Sequence, residues 1–135
     1  MKILLDTNIV LDVLLNRTDY ISNSLGAITK AIKNGDRIYL SSSAATDVYY
    51  VVRKQTGSKE QALDSIKKLA RILNFAPVDE ECILLATFSK INDYEDAVND
   101  AVASHIKANY IITRNIDDYK ESKNRILTPL EFINI

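Results

Sequence analysis

The feature of this sequence that most constrains its fold is the short, wholly apolar run Ile3-Leu4-Leu5, which ends abruptly at the carboxylate of Asp6. A run that is apolar at every position is typical of a strand buried on both faces, as in parallel sheets. Parallel strands need long crossover connections, which helices usually supply. The run therefore predicts a central strand of a parallel sheet, with a carboxylate at its tip.

The rest of the chain alternates between strand and helix patterns. Strands are predicted over 3–5, 37–40, 75–78 and 110–113, with a short fifth strand at 126–127. Helices are predicted from a cap at Thr7 or Asn8 to residue 16, over 20–33, 44–55, 59–73, 80–91 and 95–108, and as a last turn after residue 128. This alternation predicts an α/β fold, a three-layer sandwich with a central, mainly parallel sheet of four to five strands.

The composition favours one domain over residues 1–135, because a chain of this length can bury roughly two-thirds of its unfolded surface in a single core. Its 47% hydrophobic and 26% charged residues are ordinary for a globular protein. The one cysteine, Cys82, excludes an internal disulfide. Asp6, Asn8 and Asp12 interrupt the apolar N-terminal segment, which is therefore neither a signal peptide nor a membrane span. We expect a cytoplasmic protein that does not enter a membrane.

Polar side chains follow the ends of several predicted strands or lie early in the helices beside them. In parallel α/β sheets, ligands bind beyond the carboxyl ends of the strands, so these side chains are expected to face one pocket. One of them, Asp100, is included because it lies four residues after Asp96 on the same helix face. The candidate metal ligands are Asp6, Asp47, Asp96, Asp100, Asn115 and Asp118.

Carboxylates that converge in one pocket cannot all ionise unless a cation compensates their charge. Arg114 is the only obvious basic partner near these strand ends. A divalent metal is the simplest solution, and ligands that are all oxygen atoms favour Mg²⁺ or Mn²⁺ over zinc. Such an ion lowers the pKa of a water molecule and stabilises charge on a phosphate.

Each acid also has an ordinary structural explanation. Asp96 is also explained as a first-turn acid that favours the helix dipole, with Asp93 as the helix cap. Asp47 fits an exposed helical position equally well, and Asp12 is expected on the solvated face of the first helix. Asp6 is harder to explain in this way, because a carboxylate at the tip of a buried strand is costly without a partner.

The basic residues, and the absence of a phosphate-binding loop, limit which functions are compatible with this sequence. A net charge of −1 argues against binding of nucleic acid by bulk positive charge, although local contacts remain open. Lys54 returns to the helix face of Asp47, and Asn8, Lys54 and Arg114 are the predicted nucleic-acid contacts. His105 lies about 180° around its helix from Asp96 and is expected to be a surface or packing residue. Cys82 is expected in the core, and no glycine-rich phosphate loop is present.

Three segments resemble the motifs of the PIN-domain family, and in particular the small toxins of the VapC type. Residues 4–12 (LLDTNIVLD) resemble the first motif of that family. Residues 94–98 (YEDAV), with Ala101 and Ala103, resemble its acidic helix, and residues 111–119 (IITRNIDDY) resemble its strand-to-turn motif. The matches span nearly the whole chain and occur in the order of the family.

The resemblance implies a metal-dependent endoribonuclease that hydrolyses RNA phosphodiesters, with Asp6 and Asp96 as metal ligands. It further implies that Asn115 and Asp118 complete the polar pocket, and that Thr113 positions substrate or water. The implied catalytic residues are Asp6, Asp47, Asp96 and Thr113. A toxin role, a small antitoxin whose tail blocks the pocket, and a homodimer are also implied.

Two alternatives remain open at this stage. Many relatives carry Glu where this chain has Asp47, which is one methylene shorter, and this departure favours a non-catalytic module that binds nucleic acid or a partner. A phosphate-transfer domain could instead use Asp6 as a nucleophile. The dehalogenase type of such domains carries a second Asp two residues further on, where this chain has Asn8.

Overall fold

The computed structural model describes the whole chain, Met1–Ile135, and contains five strands and seven helices. The strands are β1 (Lys2–Leu5), β2 (Arg37–Ser41), β3 (Asn74–Ala76), β4 (Tyr110–Ile112) and β5 (Ile126–Leu127). The helices are α1 (Thr7–Leu14), α2 (Ile21–Asn34), α3 (Ser42–Thr56), α4 (Lys59–Ile72), α5 (Glu80–Thr87), α6 (Tyr94–His105) and α7 (Pro129–Ile133), and a 3₁₀ turn covers Ile116–Tyr119. None of the helices combines the length and the hydropathy that a bilayer-spanning segment needs.

All five strands form one parallel sheet in the order β3-β2-β1-β4-β5. The first strand lies at its centre, where Ile3 pairs with Ile38 of β2 on one side and with Tyr110 of β4 on the other. The strand order reverses between β1 and β4. In open parallel sheets this reversal creates a crevice beyond the carboxyl ends of the two strands.

Alternate side chains of β1 enter two separate hydrophobic cores. Ile3 and Leu5 belong to the core that packs against α1 to α4 and α7, whereas Leu4 belongs to the core beneath α5 and α6. Successive strand residues point to opposite faces of a sheet, so a strand that is apolar at every position serves both layers. The predicted three-layer α/β sandwich with a parallel sheet is confirmed.

Several element boundaries differ from the predicted ones; helix α6, for example, ends at His105 and not at residue 108. The N-cap of α1 is Asp6, whose carboxylate accepts the backbone N–H of Thr7, and not Thr7 or Asn8. The third strand covers Asn74–Ala76 rather than 75–78. Helix α5 ends at Thr87 rather than at residue 91, and a turn follows in which the Ser89 hydroxyl accepts the backbone N–H of Ile91.

The expected exposure of Asp12 is wrong, since this carboxylate is fully buried. It accepts hydrogen bonds from Arg114 Nε at 2.9 Å and from the Ser24 hydroxyl at 2.8 Å, and Arg17 Nη1 lies 3.4 Å away. The Arg114 guanidinium also stacks on the ring of Tyr20, 3.7 Å from its centroid. These contacts tie α1, α2 and the loop after β4 together.

We predict that Asp12→Asn lowers the free energy of unfolding by about 2–4 kcal/mol, because it leaves the positive charge of Arg114 without its buried partner. Urea denaturation at neutral pH measures the loss. Asp64→Asn is the matched control, since Asp64 pairs with Lys68 on an exposed helix face. That change is expected to cost less than about 0.5 kcal/mol. Equal losses in the two variants would contradict a structural role for the Asp12 pair.

Candidate active site

An acidic cavity of about 500 Å³ opens beyond the carboxyl ends of β1 and β4. No lysine or arginine lines it, and its polar lining is dominated by carboxylates. The six acids in the lining are Asp6, Asp47, Asp93, Glu95, Asp96 and Asp118. Their mutual repulsion is therefore not relieved by a basic side chain of the cavity wall.

Asp6 lies at the base of this cavity and is 7% exposed. Its Oδ1 accepts the backbone N–H of Thr7 at 2.8 Å and faces the Asn99 amide at 3.4 Å, while its Oδ2 accepts the Thr113 hydroxyl at 2.8 Å. Burial raises the pKa of the Asp6 carboxyl above its ordinary value, and the hydrogen bonds from Thr113 and Thr7 oppose part of that rise. Each oxygen of Asp6 is thus held in place by a donor on the chain.

Asp96 lies in the first turn of α6 and is half-buried beside Asp6. Its Oδ1 accepts the hydroxyl of Tyr119 at 3.2 Å. Burial, and after it the negative charge of Asp6, raises the pKa of Asp96 to about 7. Burial likewise raises the pKa of Tyr119 above its ordinary value, so this hydroxyl remains a donor toward Asp96 at neutral pH.

Glu95 and Asp47 face each other across the mouth of the cavity. Burial, and after it the negative charge of Asp47, raises the pKa of Glu95 above its ordinary value. Asp47 comes from α3, which begins at its N-cap Ser41 directly after β2, while Glu95 comes from the first turn of α6. The two helices therefore bring acids from distant parts of the chain to the same rim.

The structure brings most of the predicted site residues together. The cavity lining contains Asp6, Asn8, Asp47, Asp96, Asn115 and Asp118. Thr113 lies directly behind Asp6, fully buried, and its hydroxyl also accepts the backbone N–H of Asn115 at 3.1 Å.

Three predicted site residues lie elsewhere. Asp100 is not in the lining, because its carboxylate turns toward the C-terminal segment and accepts hydrogen bonds from Ser122 and Asn124. The guanidinium of Arg114 is held by Asp12 rather than by the acids of the cavity. Lys54 is exposed on α3 and does not line the cavity.

Sequence reasoning did not select four residues that the structure places in or against the cavity, namely Asp93, Glu95, Asn99 and Tyr119. Asp93 was considered only as a helix cap, which it also is, since it accepts the backbone N–H of Asp96. The density of acids at 93–96 is the signal that could have found Glu95. Asn99 shares a helix face with Asp96, whereas nothing local marks Tyr119.

The donor set of the cavity fits a hard divalent cation. All of its charged groups are carboxylates, and its remaining polar side chains offer hydroxyl or amide oxygens. Oxygen ligands of this kind suit Mg²⁺ or Mn²⁺. Burial is the main cause of the raised pKa values of Asp6, Glu95 and Asp96, and the negative charges of neighbouring carboxylates raise them further.

The chain combines a parallel α/β sheet with an acidic cavity at the point where the strand order reverses. This combination defines a class of domain. The family model described as the PIN domain matches residues 2–117. This chain therefore belongs to the PIN-domain family, as its motifs indicated.

Relatives and solved structures agree with this assignment. Ribonuclease VapC1 from Aquifex aeolicus (strain VF5) is 27% identical over 136 residues, which cover 97% of this chain and 92% of that protein. VapBC2 from Rickettsia felis, bound to a DNA fragment from its promoter, superimposes with a TM-score of 0.76 and 18% identity, covering 95% of this chain and 98% of the other. VapBC-1 from nontypeable Haemophilus influenzae gives a TM-score of 0.69 and 19% identity, covering 96% and 99%.

We predict that the metal-free protein loses stability between pH 4 and pH 8 and that Asp96→Asn reduces this loss. The pKa of Asp96 is about 7 in the folded chain, against an ordinary value of 3.8. The folded state therefore binds this proton more tightly, and the associated stability is lost as the pH rises through 7. Because Asp96 is only half-buried, solvent screening limits the expected difference between the profiles to about 1–2 kcal/mol at pH 8.

Urea unfolding in a chelating buffer at several pH values measures these profiles. Asp64→Asn serves as the reference, because that acid is exposed and far from the cavity lining. Its profile is expected to run parallel to that of the parent chain. A parallel profile for Asp96→Asn as well would refute the raised pKa.

Proposed function

We propose that this PIN-domain protein is a metal-dependent endoribonuclease that hydrolyses RNA phosphodiesters and acts as the toxin of a toxin–antitoxin pair. The observation that carries the proposal is the cavity at the sheet reversal, where six carboxylates gather without a lysine or arginine. The similarity to Ribonuclease VapC1 over 97% of the chain supports a ribonuclease rather than another use of such a pocket.

Asp6 and Asp96 are the residues that would hold Mg²⁺ or Mn²⁺, with Asp47, Asn115 and Asp118 completing the set directly or through water. When bound, such an ion activates a water molecule and stabilises the charge that develops on the phosphate. The fit rests on the donor chemistry of the cavity, in which every charged group is an oxygen acid.

The surrounding side chains hold the two central carboxylates in a defined orientation. The Thr113 hydroxyl and the Asn99 amide approach different oxygens of Asp6, and the Tyr119 hydroxyl fixes one oxygen of Asp96. Because these three residues are buried, their own rotamers are restricted by packing. A site that is preorganised in this way loses little by reorientation when a substrate binds.

Substrate binding in this proposal depends on the ion as well as on the protein. The acidic lining repels a phosphate backbone unless a cation neutralises it. The amide of Asn8 lies in the lining, where it can donate to a phosphate or a ribose hydroxyl, and its carbonyl oxygen is already oriented by Arg17 at 3.3 Å. Lys54 contributes from the exposed face of α3. Arg114 is left out, because its guanidinium is engaged by Asp12.

The proposal extends to protein partners, namely a small antitoxin and a second copy of the chain. The solved structures with this fold include VapBC complexes and FitAB bound to a DNA fragment, the last with a TM-score of 0.69 and 20% identity over 94% of both chains. Helix α5 and the residue after it expose the apolar side chains of Leu84, Leu85 and Phe88, the last at 85%. Such side chains suit a contact surface.

A cytoplasmic location is consistent with the buried free thiol of Cys82.

We predict that Asp6→Asn and Asp96→Asn each lower the rate of RNA cleavage by at least about 100-fold, because each removes a charge that the ion and the phosphate require. A fluorescence-quenched RNA with Mn²⁺ supplied measures the rate, and circular dichroism checks the fold. Asp100→Asn is the matched control, being on the same helix but outside the cavity lining. It is expected to stay within about threefold of the parent rate. Full activity of Asp6→Asn would show that the site lies elsewhere.

The non-catalytic module remains the second candidate, because Asp47 is shorter than the Glu of many relatives. We predict that Asp47→Glu keeps or raises the cleavage rate and that Asp47→Asn lowers it about tenfold or more. The reason is that the negative charge of this side chain contributes more to binding the ion than its length does. Single-turnover cleavage and Mn²⁺ titration by calorimetry together separate the candidates. A parent chain that binds Mn²⁺ without cleaving RNA, while Asp47→Glu gains cleavage, would favour the module.

A further inference from the structure

The only cysteine and the only histidine of this chain lie side by side in the fold, away from the acidic cavity. Cys82 is in the first turn of α5, and His105 is the last residue of α6. Asp79, the N-cap of α5, is the third member of the cluster. One ligand atom from each of the three residues lies within 4.8 Å of the other two.

The two carboxylate oxygens of Asp79 have different partners. Its Oδ1 accepts the backbone N–H of Cys82 at 2.9 Å and so caps the helix. Its Oδ2 lies 3.8 Å from Nε2 of His105, and the Cys82 thiol is within hydrogen-bonding reach of the same carboxylate. The capping bond therefore orients the Asp79 side chain toward the other two members of the cluster.

We propose that Asp79, Cys82 and His105 form a second metal site, suited to zinc rather than to Mg²⁺ or Mn²⁺, that links the start of α5 to the end of α6. Sulfur, imidazole nitrogen and carboxylate oxygen are the three ligand types that zinc takes in proteins, whereas Mg²⁺ and Mn²⁺ prefer oxygen alone. In a tetrahedral zinc site the nitrogen and oxygen ligands are about 3.3 Å apart. The observed 3.8 Å between Nε2 of His105 and Oδ2 of Asp79 is close to that separation. The ligand atoms of the whole cluster lie within 4.8 Å of one another, so side-chain rotation has to shorten the widest separation by up to about 1 Å when an ion binds.

The charges and the exposure of the three residues also suit zinc. A thiolate and a carboxylate together neutralise a divalent ion, so the complex carries no net charge. Cys82 is buried, whereas the side chains of Asp79 and His105 are 46% and 50% exposed. A metal ion can therefore enter from solvent, and a water molecule can occupy the fourth position.

This site is separate from the proposed active site. His105 follows Asp96 by nine residues on α6, which places them about 14 Å apart along the helix axis. Zinc would fix the far end of the helix whose N-cap is Asp93 and whose first turn carries Glu95 and Asp96. Its expected effect is to stabilise the α5–α6 pair, since a ligand that binds only the folded state raises its stability.

Cobalt titration of the chelator-treated full chain tests the proposal. Co²⁺ reports on a thiolate ligand through an intense charge-transfer absorption, and only Cys82 can supply it. We expect this absorption to reach saturation, to disappear when Zn²⁺ is added, and to be absent in Cys82→Ser. His105→Gln changes an exposed side chain and is expected to raise the dissociation constant for Co²⁺ at least about tenfold. Asp6→Asn is expected to keep the absorption, although its RNA cleavage is lost.

Two outcomes would overturn the proposal. One is the absence of thiolate-to-cobalt absorption in the parent chain at several equivalents of Co²⁺. The other is an unchanged dissociation constant in His105→Gln, which would mean that the imidazole is no ligand. Because His105 is exposed, a folded His105→Gln protein, verified by circular dichroism, makes the test valid even if Cys82→Ser folds poorly. Neither outcome depends on whether the chain cleaves RNA.

Discussion

The structure of this protein depends on a carboxylate that is buried at the tip of its central strand. Asp6 closes β1, caps α1 and forms the base of the acidic cavity, and it is 7% exposed. Such a position is costly without partners, and the Thr113 hydroxyl, the Asn99 amide and the Thr7 N–H supply them. Strand β4 and helix α6 must therefore lie beside β1, so the same contacts that make Asp6 tolerable also assemble the cavity.

The buried and half-buried acids near the strand ends differ in whether a positive side chain compensates their charge. Asp12 is compensated within the chain by Arg114, and this pair fastens α1 to the loop after β4. Asp6 and Asp96 have no such partner, and their pKa values are raised. Since the one arginine near the strand ends is bound by Asp12, the cavity retains an unbalanced negative charge, as the proposed metal-dependent hydrolysis needs.

The two ends of α6 differ in their chemistry, although they belong to one short helix. The first turn offers oxygen ligands alone, suited to Mg²⁺ or Mn²⁺, whereas the last residue joins a cysteine and an aspartate of α5. Helix α6 therefore carries two acids of the cavity in its first turn, and the α5–α6 pair carries the proposed zinc ligands. If both sites are occupied, the second ion holds in place the helix on which the first one depends.

The sequence by itself determined the parallel α/β sheet, because residues 3–5 are apolar at every position and strand patterns alternate with helix patterns along the chain. It also predicted Asp6 and Asp96 as site residues, since their motifs occur in the order of the family, and Asp47 from its place early in the helix after β2. Only the tertiary structure decided the burial of Asp12, whose partner Arg114 lies 102 residues away, and the withdrawal of Asp100 toward Ser122 and Asn124. Local patterns report which face of an element is apolar, but pairing between distant polar side chains depends on how the elements pack, and that information exists only in the folded chain.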